Sequence, residues 1–202
     1  NKVMSFEQNL SEAVTRGALC VSDLPEGYDF TAICNRVFNE LSANFTKSFV
    51  NRADSDAHNT LKNLLNEGKY IVNYAGHGSV TAWAAPSFFS QTHASQMTNN
   101  NKLTVFTMLT CLNGYFVEPN GFSFSEAALF APNGGAVAAW ASTGLTTADI
   151  QETMAKRFYR KLSEGEISRL GDLINDAKTA IPFGRDVRLS WALLGDPMLK
   201  VR

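Results

Sequence analysis

The sequence predicts an α/β domain of three layers, with helices on both faces of a mostly parallel central sheet. Three observations predict it. From about residue 17 onward, short apolar runs alternate with amphipathic stretches, the pattern of β-α units. One run, "LTVFTMLT" at Leu103–Thr110, carries apolar residues on both sides, as a central strand covered on both faces requires. The chain has 202 residues, 45% hydrophobic and 18% charged, which suits a single globular domain with a sizeable core.

Residues 1–16 read as a peripheral segment, a helix trailing from a preceding part of the chain, and residues 17–202 as the domain itself. Strands are expected at Ala18–Ser22, Thr46–Val50, Lys69–Ala75, Leu103–Thr110 and Ala136–Ala141. Between the first two, "YDFTAICNRVFNELSANF" sets Phe30, Ile33, Val37, Phe38 and Leu41 on one helical face, with Asp29 or Thr31 able to cap its start. "DSDAHNTLKNLLNEG" repeats the logic: Leu61, Leu64 and Leu65 form the buried stripe and Gly68 follows the last turn. In "NGYFVEPNGFSFSEAALF" the Pro and Gly residues predict a loop, then a helix from about Ser123 with Ser123 or Ser125 and Glu126 as its cap. After the fifth strand the chain turns helical, through "TADIQETMAKRFYRKLSEG" and "EISRLGDLINDAKTAI" to "DVRLSWALLGDPMLKV".

Composition excludes several function classes. The net charge of −1 provides no basic surface for nucleic acid. No apolar run is long enough for a membrane span, and "NKVMSFEQNL" is not a secretory leader. The cysteines, Cys20, Cys34 and Cys111, lack C-x-x-C spacing, and the histidines, His58, His77 and His93, lack the i, i+4 spacing of a metal pair. No metal site is predicted. A Cys20–Cys34 disulfide fits the count but leaves Cys111 unpaired. His58 and His93, on helices with polar neighbours, read as surface residues.

Ligands of an open parallel sheet bind at the carboxyl ends of its strands. His77, in "YAGHGS", follows the third strand, and Cys111, in "MLTCLNG", ends the fourth. If those strands are neighbours, the fold brings a thiol nucleophile to its acid/base partner. The glycines of "AGHG" let the backbone approach a ligand, and the amides of Gly78 and Cys111 are placed to receive the oxygen of a tetrahedral acyl intermediate. The alternative is a buried, inert cysteine and a histidine that only ends a strand. Asp23 either orients His77 or serves as a turn residue beside Pro25 and Gly27. Trp83 and Trp140 read either as cleft walls or as core.

"YIVNYAGHGSVTAW", "MTNNNKLTVFTMLTCLNGYF", "GGAVAAWAST" and "LLGDPMLKV" occur in this order and together resemble the gingipain-like cysteine peptidases, peptidase family C25 of the caspase-like clan. The resemblance implies a caspase-like α/β/α sandwich, the catalytic subdomain of a larger assembly with an α/β subdomain upstream as its partner. It implies a cysteine endopeptidase acting on protein or peptide substrates, with Cys111 as nucleophile, His77 as general acid/base, and Gly78 and Cys111 as oxyanion donors. By the same likeness Asp29 falls at the floor of the pocket for a basic P1 residue, with Ala75, Leu109, Trp140 and Thr143 as walls. "GLTTAD" stands where arginine-specific members have an aromatic wall, a departure from that pattern. No cofactor is required for the chemistry, and a structural calcium, though found in relatives, has no Asp-rich loop to mark it here. Family members are mostly exported to the bacterial surface or medium. The competing readings are a transpeptidase of the same family and a non-catalytic interaction module that keeps the fold; a receiver-like protein is excluded by "AGHG" and "WAST" at the positions of its acidic residue and lysine.

Overall fold

The computed structural model describes residues 2–86 and 88–202. The chain runs α1 (Lys2–Gln8), α2 (Leu10–Thr15), β1 (Ala18–Ser22), α3 (Phe30–Phe38), β2 (Lys47–Asn51), α4 (Ala57–Glu67) and β3 (Ile71–Ala75). A small antiparallel pair, β4 (Ala82–Trp83) and β5 (Phe89–Ser90), leads into α5 (Gln91–Ser95) and β6 (Thr104–Leu109). Then come α6 (Phe124–Phe130), β7 (Ala136–Ser142), α7 (Ala148–Glu164), α8 (Leu170–Lys178), α9 (Arg185–Ser190) and β8 (Trp191–Leu194).

The main sheet has the order β2-β1-β3-β6-β7-β8. All neighbours are parallel except β7 and β8. Along β3 the side chains alternate between two cores: Ile71 and Ala75 face α1, α3, α7 and α8, whereas Val72 and Tyr74 face α4, α5 and α6. That alternation produces the three layers, because each face of the pleat is apolar and must be covered. Asp29 caps α3, accepting from the Ala32 N–H at 2.8 Å. Gly68 ends α4 at φ +84°, and the Ser123/Glu126 capping box opens α6.

Two buried polar groups sit mid-sheet. Thr107 donates to Asn73 Oδ1 (3.0 Å) and pairs with the Tyr159 hydroxyl of α7 (2.6 Å). Asn73 Nδ2 in turn reaches Cys20 Sγ at 3.3 Å. Cys20 is in disulfide linkage with Cys34, tying β1 to α3, and Cys111 is free.

The structure departs from the sequence-based expectations in two places, the closing segment and the histidines His58 and His93. Within residues 2–15 Phe6 and Ala13 are buried, and Phe6 stacks on Tyr70 at 6.2 Å. The closing segment is not wholly helical; Trp191–Leu194 adds an antiparallel strand that covers the free edge of β7, with Trp191 buried against Trp140. Trp140 and Trp83 are core residues, 1% and 0% exposed. His58 and His93 are half-buried and meet edge to face at 4.8 Å.

His93 also completes a capping box for α5, its Nδ1 accepting the Ser90 N–H at 3.0 Å. That acceptor exists only on the unprotonated ring. Burial first, then the charges of His58 and Lys62, hold the His93 pKa below the ordinary histidine value. The folded state thus binds its proton less readily than the unfolded chain, so this stability is present above about pH 6.5 and is lost as pH falls through the lower folded value. Thermal unfolding should show a midpoint that drops between about pH 7 and pH 5, and His93→Gln, which keeps an acceptor without a charge, should flatten that slope.

Candidate active site

The site is assembled by strand pairing. Ala75 and Leu109 are paired in the parallel β3–β6 ladder, and the Gly76 N–H donates to Leu109 O at 3.2 Å. His77 and Cys111 each lie two residues farther on, so they emerge side by side from neighbouring strands about 4.8 Å apart. Their loops are then tied together. Asn113, fully buried, donates from Nδ2 to Ser79 O (2.6 Å) and Ala82 O (3.3 Å), and the Phe124 N–H donates to Val80 O (2.8 Å).

Glycine is required at the closest approaches. A Cβ on Gly78 would lie 2.3 Å from Thr110 Oγ1, and one on Gly76 would lie 2.3 Å from the Tyr74 hydroxyl and 2.5 Å from Asp23 Cβ. Gly78 faces Trp83 in an antiparallel bridge flanked by Ser79 N–H to Ala82 O and Ala84 N–H to His77 O. In such a wide pair the Gly78 N–H turns away from its partner. Among the described residues neither the Gly78 nor the Cys111 amide is donated to another main-chain carbonyl.

The thiol of Cys111 is half-buried and directed at Thr146 O, 3.7 Å away. Leu112 takes φ +63°, which turns the chain sharply just after the thiol, and its N–H donates to Gly144 O at 3.2 Å. The His77 ring is half exposed and stands edge-on to Phe30 at 5.3 Å. Its Nε2 lies 3.4 Å from Glu26 O and 3.9 Å from the Glu26 carboxylate. Imidazole and thiol are not hydrogen-bonded to each other; each leaves the sheet on its own loop.

Asp23 serves the main chain of the site rather than the ring. Its buried carboxylate accepts from the His77 N–H (3.2 Å) and the Leu24 N–H (2.7 Å), and pairs with Arg52 Nη1 at 2.9 Å. On the other side of the loop, His77 O accepts from the Tyr74 hydroxyl at 2.7 Å. Burial pushes the Tyr74 phenol well above its usual pKa, which keeps that donor protonated. The carboxylate beside the ring belongs to Glu26, a residue sequence reasoning missed; its only signal is its place in the turn "DLPEG" ahead of the expected α3 cap.

Of the expected pocket residues, Asp29 is exposed at the head of α3 and Thr143 is half-buried, its hydroxyl donating to Ser190 O at 2.8 Å. Ala75 and Leu109 are 1% and 2% exposed and support the floor from beneath. Trp140 packs on Phe158 at 5.1 Å and Trp191 at 5.9 Å, so its place in the core removes it from the pocket wall. The side chain standing clear of the loop after β7 is instead Leu145, 76% exposed. Among the described residues no cluster of three or more His, Cys, Asp or Glu could hold a metal ion, and no helix is long and apolar enough to cross a membrane.

A family model described as peptidase family C25 matches residues 1–202. Gingipain R2 of Porphyromonas gingivalis is 32% identical over 163 residues, which cover 71% of this chain and 21% of that protein. Gingipain R1 of the same organism is 32% identical over 163 residues, 71% of this chain and 16% of its own length. The crystal structure of the Arg-specific cysteine proteinase gingipain R superposes with a TM-score of 0.83 at 27% identity, covering 96% of this chain and 49% of that one. The complex of the pro- and mature domains of Porphyromonas gingivalis RgpB gives a TM-score of 0.85 at 26% identity, covering 100% and 52%. The chain therefore spans about a fifth or less of the length of these curated relatives and about half of the matched structures.

The close approach at Gly78 is directly measurable. Gly78→Ala should lower stability in urea unfolding by about 1–3 kcal/mol, since the added methyl must push Thr110 and the Cys111 loop away. Gly121→Ala, where a Cβ meets nothing within 4 Å, should change it by less than about 0.5 kcal/mol.

Proposed function

The chain belongs to peptidase family C25 and has the caspase-like three-layer fold, and from that premise we propose that it carries the catalytic site of a cysteine endopeptidase. The observation that supports this most is the pairing of a free, half-buried thiol with a histidine at the ends of adjacent parallel strands. Cys111 gives its proton to His77, and the sulfur attacks the scissile carbonyl carbon, forming a C–S bond. Negative charge moves onto the carbonyl oxygen, where the Gly78 and Cys111 N–H groups receive it. Collapse of the tetrahedral species breaks the C–N bond as the imidazolium protonates the leaving amine. Water, deprotonated by the same imidazole, then attacks the thioester, releasing a carboxylic acid and restoring the thiol. Every step uses groups of the chain and its substrate.

Asp29 is the group we assign to a basic P1 residue. One carboxylate oxygen caps α3, and the residue is exposed to solvent. The likeness to gingipain R, named Arg-specific, supports arginine or lysine at that position. Without an aromatic wall in "GLTTAD", discrimination rests on charge rather than on stacking. The Cys20–Cys34 disulfide fits an exported protein, because such bonds persist in oxidising compartments.

A library of peptidyl acyloxymethyl ketones varied at P1 tests the reading. Wild-type protein should be labelled at Cys111, Cys111→Ala not at all, and His77→Ala about 10²–10⁴-fold more slowly; equal labelling of all three would overturn it. Asp29→Ala should abolish the preference for Arg or Lys, and an unaltered preference would remove Asp29 from the pocket.

A further inference from the structure

Just beyond His77 the chain doubles back through β4 and leaves a cavity of about 320 Å³. Its wall starts at the imidazole and Gly78 and continues through Ala82, Ala84, Ala85 and Pro86, with the hydroxyls of Ser79 and Thr81 alongside. Among the described residues no acidic side chain, lysine or arginine lines it. Arg52 is the nearby cation that reaches this loop, donating to Ala85 O, but its other guanidinium nitrogen is held in the ion pair with buried Asp23. Beyond the imidazole the wall is thus mainly alanine and proline, with two hydroxyls beside it.

Ala84 adds a second observation. It holds φ +51°, a left-handed conformation that glycine adopts freely and a Cβ-bearing residue only at a cost. Its N–H donates to His77 O at 2.8 Å, which fixes the backbone there. Ala84 is 8% exposed and lines the cavity in this strained conformation. Strained residues of this kind gather at ligand clamps.

The direction of the reaction says what enters. In the mechanism above, His77 protonates the leaving amine, so the substrate residue that follows the scissile bond must lie on the imidazole's side of the cleft. The acyl part stays with Cys111. Continuity of the cavity with the imidazole places it where that leaving residue projects its side chain. Resting on the role given to His77, we propose that the Ala82–Pro86 cavity is the P1′ subsite and that it selects an apolar side chain, of leucine or phenylalanine type, on the leaving side of the cleaved bond.

The test is a set of peptides with the best P1 residue held fixed and P1′ varied through Leu, Phe, Gly, Asp and Lys. The purified protein should show kcat/KM about tenfold or more higher for Leu or Phe than for Gly or Asp, the range over which a hydrophobic pocket discriminates. Thr81→Glu, on the exposed rim, should shift the preference toward Lys. Ala84→Gly, which removes a methyl and relieves the strained φ, should reduce the Leu-to-Gly ratio severalfold, and it serves should the first variant not fold. A flat P1′ profile, or one favouring Asp, overturns the subsite. Peptidyl ketones that end at P1 leave the primed side empty, so Cys111 labelling with a flat profile would sink the subsite alone. Loss of both labelling and cleavage would overturn the assigned role of Cys111 and His77, and the subsite with it.

Discussion

The in-register parallel pairing of β3 with β6 is the constraint on which the rest of the site depends. Because Ala75 faces Leu109, the residues two positions farther on must leave the sheet together. A slip of one residue would turn every side chain of one strand to the wrong core. The register is held by more than apolar alternation. Asn73 and Thr107 are buried in the middle of these two strands and satisfy each other, with Tyr159 closing the set from α7. A single such bond is worth only about 0.5–1.5 kcal/mol, but leaving a buried partner unpaired costs about 1–3 kcal/mol. The wrong register would strand several at once.

Above the sheet, the loops are fixed by interactions of unequal weight. Breaking a buried ion pair typically costs about 3–5 kcal/mol because a charge is left without a partner. Asp23 and Arg52, with side chains 3% and 19% exposed, approach that limit, and their pair holds the main chain of His77. Arg36–Glu152 and Arg160–Glu40 join α3 and the segment after it to α7 at the surface, with arginine side chains 49% and 54% exposed; such pairs contribute about 0–1 kcal/mol. Placement of the imidazole therefore depends on one buried carboxylate and on Asn113, while the outer helices dock mainly through their apolar faces.

Much of this was legible in the sequence, for identifiable reasons. The strands at Ala18–Ser22 and Ala136–Ser142 are dense apolar runs, α3 carries its apolar stripe behind the Asp29 cap, and α4 carries its stripe ahead of Gly68. His77 and Cys111 stood out because glycines surround one and a strand ends at the other. Other features had no local signal. Trp191–Leu194 follows a helix without a turn, and only the free edge of β7 makes it a strand. In residues 1–16 nothing local marks Phe6 as the side chain that Tyr70 meets. Asp23 was expected either to hold the ring or to shape a turn; its bond to the His77 N–H depends on a loop path no periodicity encodes. The short β4–β5 pair, with its left-handed Ala84, is likewise fixed by tertiary contacts rather than by propensity.

In the proposed mechanism the carbonyl oxygen lies between two loops tied by Asn113, facing the amides of Gly78 and Cys111. A crystal structure of the protein with a peptide aldehyde tests this most directly. The expected adduct is a thiohemiacetal on Cys111 Sγ whose oxygen accepts from both N–H groups, with the His77 ring on the side open to the leaving chain. A thiohemiacetal oxygen turned away from both amides, or an adduct on a different residue, would contradict it.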